Sequence, residues 1–215
     1  MVYIGDLMTT DETVAVLTIG HSTHPWEHFA DMLRSANVTA IADVRSSPYS
    51  RYSPHFNRDE LRAELRSEGI SYVFLGKELG GRPSERRFYF EGVADYEKMA
   101  ESPEFRKGLD RVVEGAKKHR IALMCSERNP LECHRCLLVG RALAKRGVRV
   151  SHILDNGHVV SHSEIEDMLL DLSGRSNDDL FASRGERLAS AYREQARKVA
   201  FNEPQPTPGS AIVAE

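Results

Sequence analysis

Five short apolar runs, each followed by residues at helical spacing, constrain this chain more than any other feature. They are Val14 to Ile19, Val38 to Val44, Ile70 to Leu75, Arg120 to Met124 and Val148 to Leu154. Runs of this length with little polar alternation suit parallel strands buried on both faces, and the segments between them are long enough for crossover helices. After the first run, Gly20-His21-Ser22-Thr23 turns the chain into a helix with Pro25 in its first turn and Phe29, Met32, Leu33 and Ala36 at helical spacing. After the second, Asn57 with Glu60 has the form of a capping box for a helix bearing Leu61 and Leu65 and stopped by Gly69. The third run leads into a glycine- and arginine-rich loop, Gly76 to Gly92, then to helices near Tyr96 and from Ser102-Pro103.

The fourth run ends in Cys125, and Asn129 with Glu132, plus Pro130, predicts a further capped helix reaching about Arg146, with Gly147 beyond it. The fifth is followed by Asn156-Gly157 and a helix capped by Ser161 and Glu164. Strands alternating with helices predict an α/β fold: one domain over 14–172 with a mostly parallel β-sheet flanked by helices. A charged helical extension is expected over 173–201. The segment 202–215, with Pro204, Pro206, Pro208 and Gly209, is expected to form a disordered tail. In such a sheet the loops after the strands lie along one carboxyl edge, where ligands bind. That edge is predicted to collect His21, Ser22, Arg45 and the loop opening at Cys125.

With 215 residues and 40% hydrophobic content, the chain can bury one α/β core but hardly two. No apolar stretch approaches the roughly 20 residues needed to cross a bilayer, and no leader pattern opens the sequence, so a cytoplasmic protein without membrane contact is expected. The 3 cysteines argue against a secreted disulfide framework and for reduced thiols. A net charge of -3 provides no global attraction to nucleic acid. Charge is nevertheless uneven. From Val44 to Arg58 there is no acid, and Arg45, Arg51, His55 and Arg58 interleave with Tyr49, Tyr52 and Phe56. Arg82, Arg86 and Arg87 form a second basic cluster, and Arg128, His134 and Arg135 a third. Gathered at one edge, these would make an anion site.

Chemistry concentrates between Cys125 and Cys136, which holds all three cysteines, His134, Glu127, Glu132, Arg128 and Arg135. Cys125 ends an apolar strand, a place that suits packing as readily as nucleophilic attack, and the Glu127 carboxylate nearby disfavours a thiolate. Cys133 and Cys136 have the spacing of a redox pair, but the capped-helix assignment puts Cys133 near the fourth helical position, past the turn where a helix acidifies a thiol most. The same assignment predicts no metal site. Successive helical residues point about 100° apart, so Cys133 and His134 could not easily share an ion with Cys125 and Cys136. His21, His134 and Glu127 are the acid/base candidates, with Cys125 a possible nucleophile. Arg45, Arg128 and Arg135 are expected to hold an anion beside Ser22, because guanidinium forks match phosphate oxygens, while Tyr49, Tyr52 and Phe56 would offer a stacking surface.

Thr18-Ile19-Gly20-His21-Ser22, Asp43-Val44-Arg45 with Pro48 and Phe56, Leu75-Gly76 with Leu79-Gly80-Gly81, and Met124-Cys125 with Glu127 and Cys133-His134-Arg135 occur in that order. Together they resemble the signature of the prokaryotic family called domain of unknown function 488, over residues 14–170. The resemblance implies that Gly20, His21, Ser22, Asp43, Arg45, Gly80, Gly81, Cys125, Glu127, Cys133, His134 and Arg135 occupy signature positions; it implies no particular reaction. Cys136 lies outside the signature. The layout around Ile41 to Arg45 and the strand ending in Cys125 also resembles rhodanese-type sulfurtransferases, with Cys125 in the catalytic place, although this loop is longer and carries Glu127 and Pro130.

The residues themselves point first to an enzyme acting on an anionic, phosphate-bearing partner such as a nucleotide or a nucleic-acid end. A noncatalytic nucleotide- or nucleic-acid-binding module is the alternative, as is a rhodanese-like thiol enzyme using Cys125. No motif identifies a cofactor.

Overall fold

A computed structural model describes residues 14–176 and 181–203. In chain order its strands are β1 (Ala15–Gly20), β2 (Ala40–Asp43), β3 (Ser71–Phe74), β4 (Tyr89–Phe90), β5 (Val93–Ala94), β6 (Ile121–Cys125), β7 (Arg149–Ile153) and β8 (Val159–Ser161). Its helices are α1 (Trp26–Ser35), α2 (Arg58–Ser67), α3 (Gly76–Leu79), α4 (Tyr96–Ala100), α5 (Pro103–Ala116), α6 (Arg141–Lys145), α7 (His162–Leu172) and α8 (Arg184–Val199). The main sheet runs β3-β2-β6-β1-β7-β8, with every pairing parallel except that of β8 on β7. The fold is thus α/β with a mostly parallel sheet flanked by helices, as the alternation of runs predicts.

The period of two along each strand sends neighbouring side chains to opposite sides of the sheet. On β6, Ile121, Leu123 and Cys125 face one core, and Ala122 and Met124 face the other. On β1, Val16 belongs to the first and Leu17 and Ile19 to the second. The second core is closed by Phe29, Met32 and Leu33 of α1 with Leu61 and Leu65 of α2. The first is closed by α4 to α8. A right-handed crossover from β1 to β2 travels one way along the sheet and that from β6 to β7 the other, which is why their helices lie on opposite faces.

Three local features depart from expectation. Asn57 does not cap α2; its Oδ1 accepts the Ser50 N–H at 2.7 Å and closes the cationic loop instead. Asn156-Gly157 makes a hairpin turn, with Gly157 at φ +80°, that adds the short antiparallel strand β8. The extension after 173 is part of the core rather than an appendage. Leu188, Ala191 and Tyr192 of α8 are buried, and Gln195 Nε2 donates to Leu131 O at 2.9 Å. Beyond α8, Asn202 bridges to Val93 and Glu203 N–H donates to Gly92 O, so the first two residues of the expected tail are built onto β5. The remainder, 204–215, lies outside the described residues. Among the described residues no helix is long and apolar enough to cross a membrane.

A buried polar chain fastens α7 and α8 to the sheet. The donor direction that satisfies every bond runs from the sheet outward: Thr18 Oγ1–H to His152 Nδ1 (2.8 Å), His152 Nε2–H to His162 Nδ1 (2.9 Å), His162 Nε2–H to the Tyr192 hydroxyl (3.0 Å), and Tyr192 hydroxyl to Glu166 Oε1 (3.3 Å). Burial lowers the pKa of both rings, which suits a chain of neutral imidazoles.

Candidate functional site

The crevice of an open α/β sheet opens where successive crossovers leave in opposite directions, and here that point is at the carboxyl ends of β2, β6 and β1. The backbone there is locked across strands. His21 N–H donates to Cys125 O and Ser22 N–H to Ser126 O, each at 2.9 Å, with Ser22 in the left-handed region at φ 48°. A Cβ at Gly20 would sit 2.0 Å from Glu127 O, so only glycine lets the Cys125 loop pass this close to β1.

That loop is not the continuous capped helix expected from Asn129 and Glu132. Asn129 Oδ1 accepts Leu131 N–H, but the turn it opens, Pro130–Glu132, is a single 3-10 turn. Cys133 then returns to extended backbone (φ -137°, ψ 138°), His134 begins a new helix, and a π-helical stretch, Arg135–Gly140, runs into α6. The cause is tertiary. Arg135 turns inward, is wholly buried, and donates to Glu127 O and Arg128 O, pulling the loop into a tight arch. Cys133 therefore caps a helix instead of lying inside one: its Sγ accepts Arg135 N–H at 3.4 Å and its carbonyl accepts Leu137 N–H. This is the placement at which a helix acidifies a thiol.

Four groups meet on the floor of the crevice. Cys125 Sγ and Cys133 Sγ lie 2.8 and 3.0 Å from the same Glu127 Oε2, and 3.7 and 3.9 Å from His134 Nδ1. His134 Nε2–H donates to Val44 O at 2.8 Å, leaving the Nδ1 lone pair aimed at the thiols. A Cβ on Gly81 would stand 2.7 Å from the His134 ring, so the glycine permits that approach.

Burial pushes the Cys125 thiol well up, and the Cys133 and Glu127 groups push it further. Burial also pushes Cys133 up, but the hydrogen bond from Cys125, the Arg135 guanidinium and His134 outweigh it and hold Cys133 well below its ordinary value. Glu127 is raised by burial and by the adjacent Cys133. Burial alone would lower His134, yet its contacts with Cys133 and Val44 raise it.

A second constellation stands beside the first. Arg45 and Asp43, both essentially inaccessible, form a bidentate pair (Nε to Oδ1 2.9 Å, Nη2 to Oδ2 2.6 Å), and Tyr72 donates to Asp43 Oδ2 at 2.8 Å. Arg45 Nη1 donates to His21 Nε2 at 3.2 Å, while His21 Nδ1–H donates to Ser22 O at 2.7 Å. Burial and then the Arg45 charge lower the His21 pKa to about 4, so the ring is neutral near pH 7. Both its nitrogens are engaged, and Phe56 stacks on it with centroids 4.3 Å apart.

A cavity of about 280 Å³ opens above the first constellation. Cys125, Glu127 and His134 line its floor, Arg45, Ser46 and Tyr49 one wall, and Gly81 and Arg82 another. Of the residues expected at the site, these walls therefore hold Cys125, Glu127, His134, Arg45 and Tyr49. His21 is sealed behind Arg45. Phe56, expected on a stacking surface, is wholly buried because it fills the space between His21 and Phe29. Arg135 faces loop carbonyls rather than the cavity, and Arg128 points outward to Ser22 and Asp155. Tyr52 is 87% exposed and stands away from the cavity.

The cavity is also lined by residues the sequence did not assign to the site, Ser46, Ser47, Tyr96, Ser126 and Glu132 with Val199 and Phe201 from the extension, and by Arg82, which the sequence offered only as part of a basic cluster. Cys133 lies buried behind Glu127 and His134. Arg82 N–H donates to Ser46 Oγ at 2.9 Å, and its guanidinium lies 4.9 Å over the Phe201 ring. Among the described residues this guanidinium pairs with no carboxylate. The basic cluster at Arg82 was the available signal; its partner Phe201 is 119 positions away in sequence.

Comparison with known protein families yields a match. The family model described as Domain of unknown function DUF488 covers residues 25–142, more than half of the 215. That span includes Asp43, Arg45, Arg82, Cys125, Glu127, Cys133 and His134, and ends before α7 and α8. No curated protein and no solved structure matches the chain.

Proposed function

We propose that this chain, which belongs to the Domain of unknown function DUF488 family, is an enzyme that holds an anionic, phosphate-bearing small molecule in the crevice and acts on it with the cluster on the crevice floor. The observation that carries this reading is the continuity of one cavity. It runs from two serine hydroxyls, Ser46 and Ser47, and Arg82, whose guanidinium meets no carboxylate among the described residues, down to Cys125, Glu127 and His134. A guanidinium without a carboxylate partner, flanked by hydroxyl donors, suits phosphate oxygens. Tyr49, two-thirds exposed at the rim, suits the base of a nucleotide.

In this reading Arg82 and the free N–H groups of Arg45 bind the anion, and Glu127 and His134 are the acid/base groups beside the thiols. His21 is a positioning residue that fixes Arg45. A noncatalytic binding module would need the rim but not a thiol, carboxylate and imidazole cluster beneath it.

Phosphate and a nucleoside monophosphate titrated calorimetrically into the reduced protein at low salt provide the test. Arg82→Ala is expected to weaken both by roughly 10- to 100-fold, the range for one charge-assisted hydrogen bond, while Arg128→Ala leaves them unchanged. Equal affinity in wild type and Arg82→Ala would remove the anion reading. Binding with no turnover of any nucleotide or phosphate ester would leave the module.

A further inference from the structure

We infer that Cys125, Cys133, His134 and Glu127 form a binding site for one divalent metal ion of the zinc type. This inference rests on the enzymatic reading above and revises it at one point: with Nε2–H held by Val44 O and Nδ1 on the metal, His134 is a ligand, and of the two acid/base groups only Glu127 remains. One ligand atom from each of the four residues can be chosen so that all lie within 4.8 Å of one another. For tetrahedral zinc with bonds of about 2.3 Å to sulfur and 2.0–2.1 Å to nitrogen, the sulfur–nitrogen edges are about 3.6 Å. The two observed edges, 3.7 and 3.9 Å, are close to that. The carboxylate oxygen stands nearer the sulfurs than a ligand would, and Glu127 is the one solvent-facing member of the four, free to draw back into the cavity. It is accordingly the exchangeable ligand, the one a water or substrate oxygen would replace.

The groups hydrogen-bonded to these four residues hold them as a metal requires. A ligating imidazole ordinarily donates its other N–H to a carbonyl or carboxylate, which fixes the tautomer and aims the lone pair. His134 does so through Nε2–H to Val44 O. Cys133 Sγ accepts a backbone N–H from Arg135. The obstacle raised by helical spacing disappears, because extended backbone at Cys133 lets it and His134 converge.

Charge points the same way. Arg135 is wholly buried and, among the described residues, pairs with no carboxylate. Two thiolates and one carboxylate carry three negative charges, Arg135 offsets one, and a divalent cation offsets the other two. Buried charge is tolerated when so balanced. The neighbouring trio Cys136, His152 and His162 does not compete, since both nitrogens of each ring are taken up by Thr18, Tyr192 and each other. Metal uptake releases the thiol protons to solvent and forms two metal–sulfur bonds, with no change of oxidation state.

The test uses the full chain, reduced and stripped with chelator, then titrated with Zn²⁺ or Co²⁺ alone. One equivalent per chain is expected, with a thiolate-to-cobalt charge-transfer band and the intense visible bands of a tetrahedral site. Zinc-edge absorption on the wild-type protein should count two sulfurs and two lighter ligands, a result independent of how any variant folds. Cys133→Ser and His134→Ala should abolish stoichiometric uptake, Glu127→Gln should weaken it, and Arg82→Ala should leave it intact. Absence of uptake by folded, reduced wild type, uptake unaffected in Cys133→Ser and His134→Ala, or a Cys125–Cys133 disulfide in the protein as purified would each overturn the inference. Phosphate titration of the same preparations separates the two proposals: anion binding without metal removes only this one, and metal without anion binding removes only the substrate reading.

Discussion

Asp43→Ala is expected to destabilise the folded chain by about 3–5 kcal/mol, the usual result of removing one partner from a buried ion pair. Asp43 is fully inaccessible and accepts from Arg45 Nε, Nη2 and backbone N–H and from the Tyr72 hydroxyl. Its loss leaves the Arg45 guanidinium charged in a site 3% exposed, with His21 as its one remaining side-chain partner among the described residues. Urea unfolding measures the difference. Asp31→Ala is the control, because that carboxylate pairs with Arg34 at an exposed position and is expected to matter by less than about 1 kcal/mol. An Asp43→Ala midpoint close to that of Asp31→Ala would mean that the pair does not hold the end of β2 in place.

Mild acid is expected to weaken the fold sharply. His21 is neutral when folded, with its pKa lowered to about 4 by burial and by Arg45, whereas the unfolded chain takes up a proton near 6.5. Because the folded value is depressed, the contribution of this ring is fully present above about pH 6.5 and is lost as pH falls towards 4. At pH 5 the loss from His21 alone is about 2 kcal/mol. His152 and His162, lowered by burial, add to it in the same direction. His24 is lowered by burial as well, so His134, whose value is raised, works against it as one ring against four. Unfolding free energies at pH 7.5 and pH 5 check this; equal or greater stability at pH 5 would show that these rings are not held neutral, and His21→Gln should reduce the pH dependence.

The five parallel strands were legible because each is a short, mainly apolar run followed by residues at helical spacing; the inner strands β1, β2 and β6 are the most continuously apolar because helices cover them on both sides, while β3 at the edge is half-exposed. The order of turns then placed His21, Arg45 and Cys125 at one edge without any knowledge of side-chain contacts. The structure of the Cys125 loop was not legible. Asn129, Pro130 and Glu132 carry the local signals of a helix start, and they do start one, but Arg135 reaching back to two loop carbonyls ends it after a single turn. That contact depends on Gly20 admitting Glu127 O and the Arg135 guanidinium, and the neighbouring His134 ring on Gly81, approaches from other parts of the chain that no local spacing reveals. Phe56 has the composition of a surface cluster and the burial of a core residue for the same reason, since His21 and Phe29 are its neighbours only in space. Arg82 stood in a basic run with nothing to distinguish it from Arg86 and Arg87 until Phe201, carried in by α8, formed the opposite wall.

Whether the crevice at the ends of β2 and β6 takes the ligand is read by a backbone amide chemical-shift map of the reduced protein titrated with phosphate and then with a nucleoside monophosphate. Saturable shifts are expected only at Ser46, Ser47, Gly81, Arg82, Ser126 and Glu127, with the nucleotide extending them to Tyr49. Saturable shifts centred instead on the groove lined by Phe90, Arg141, Arg193 and Arg197, or no saturable shifts at all, would contradict the crevice as the ligand site.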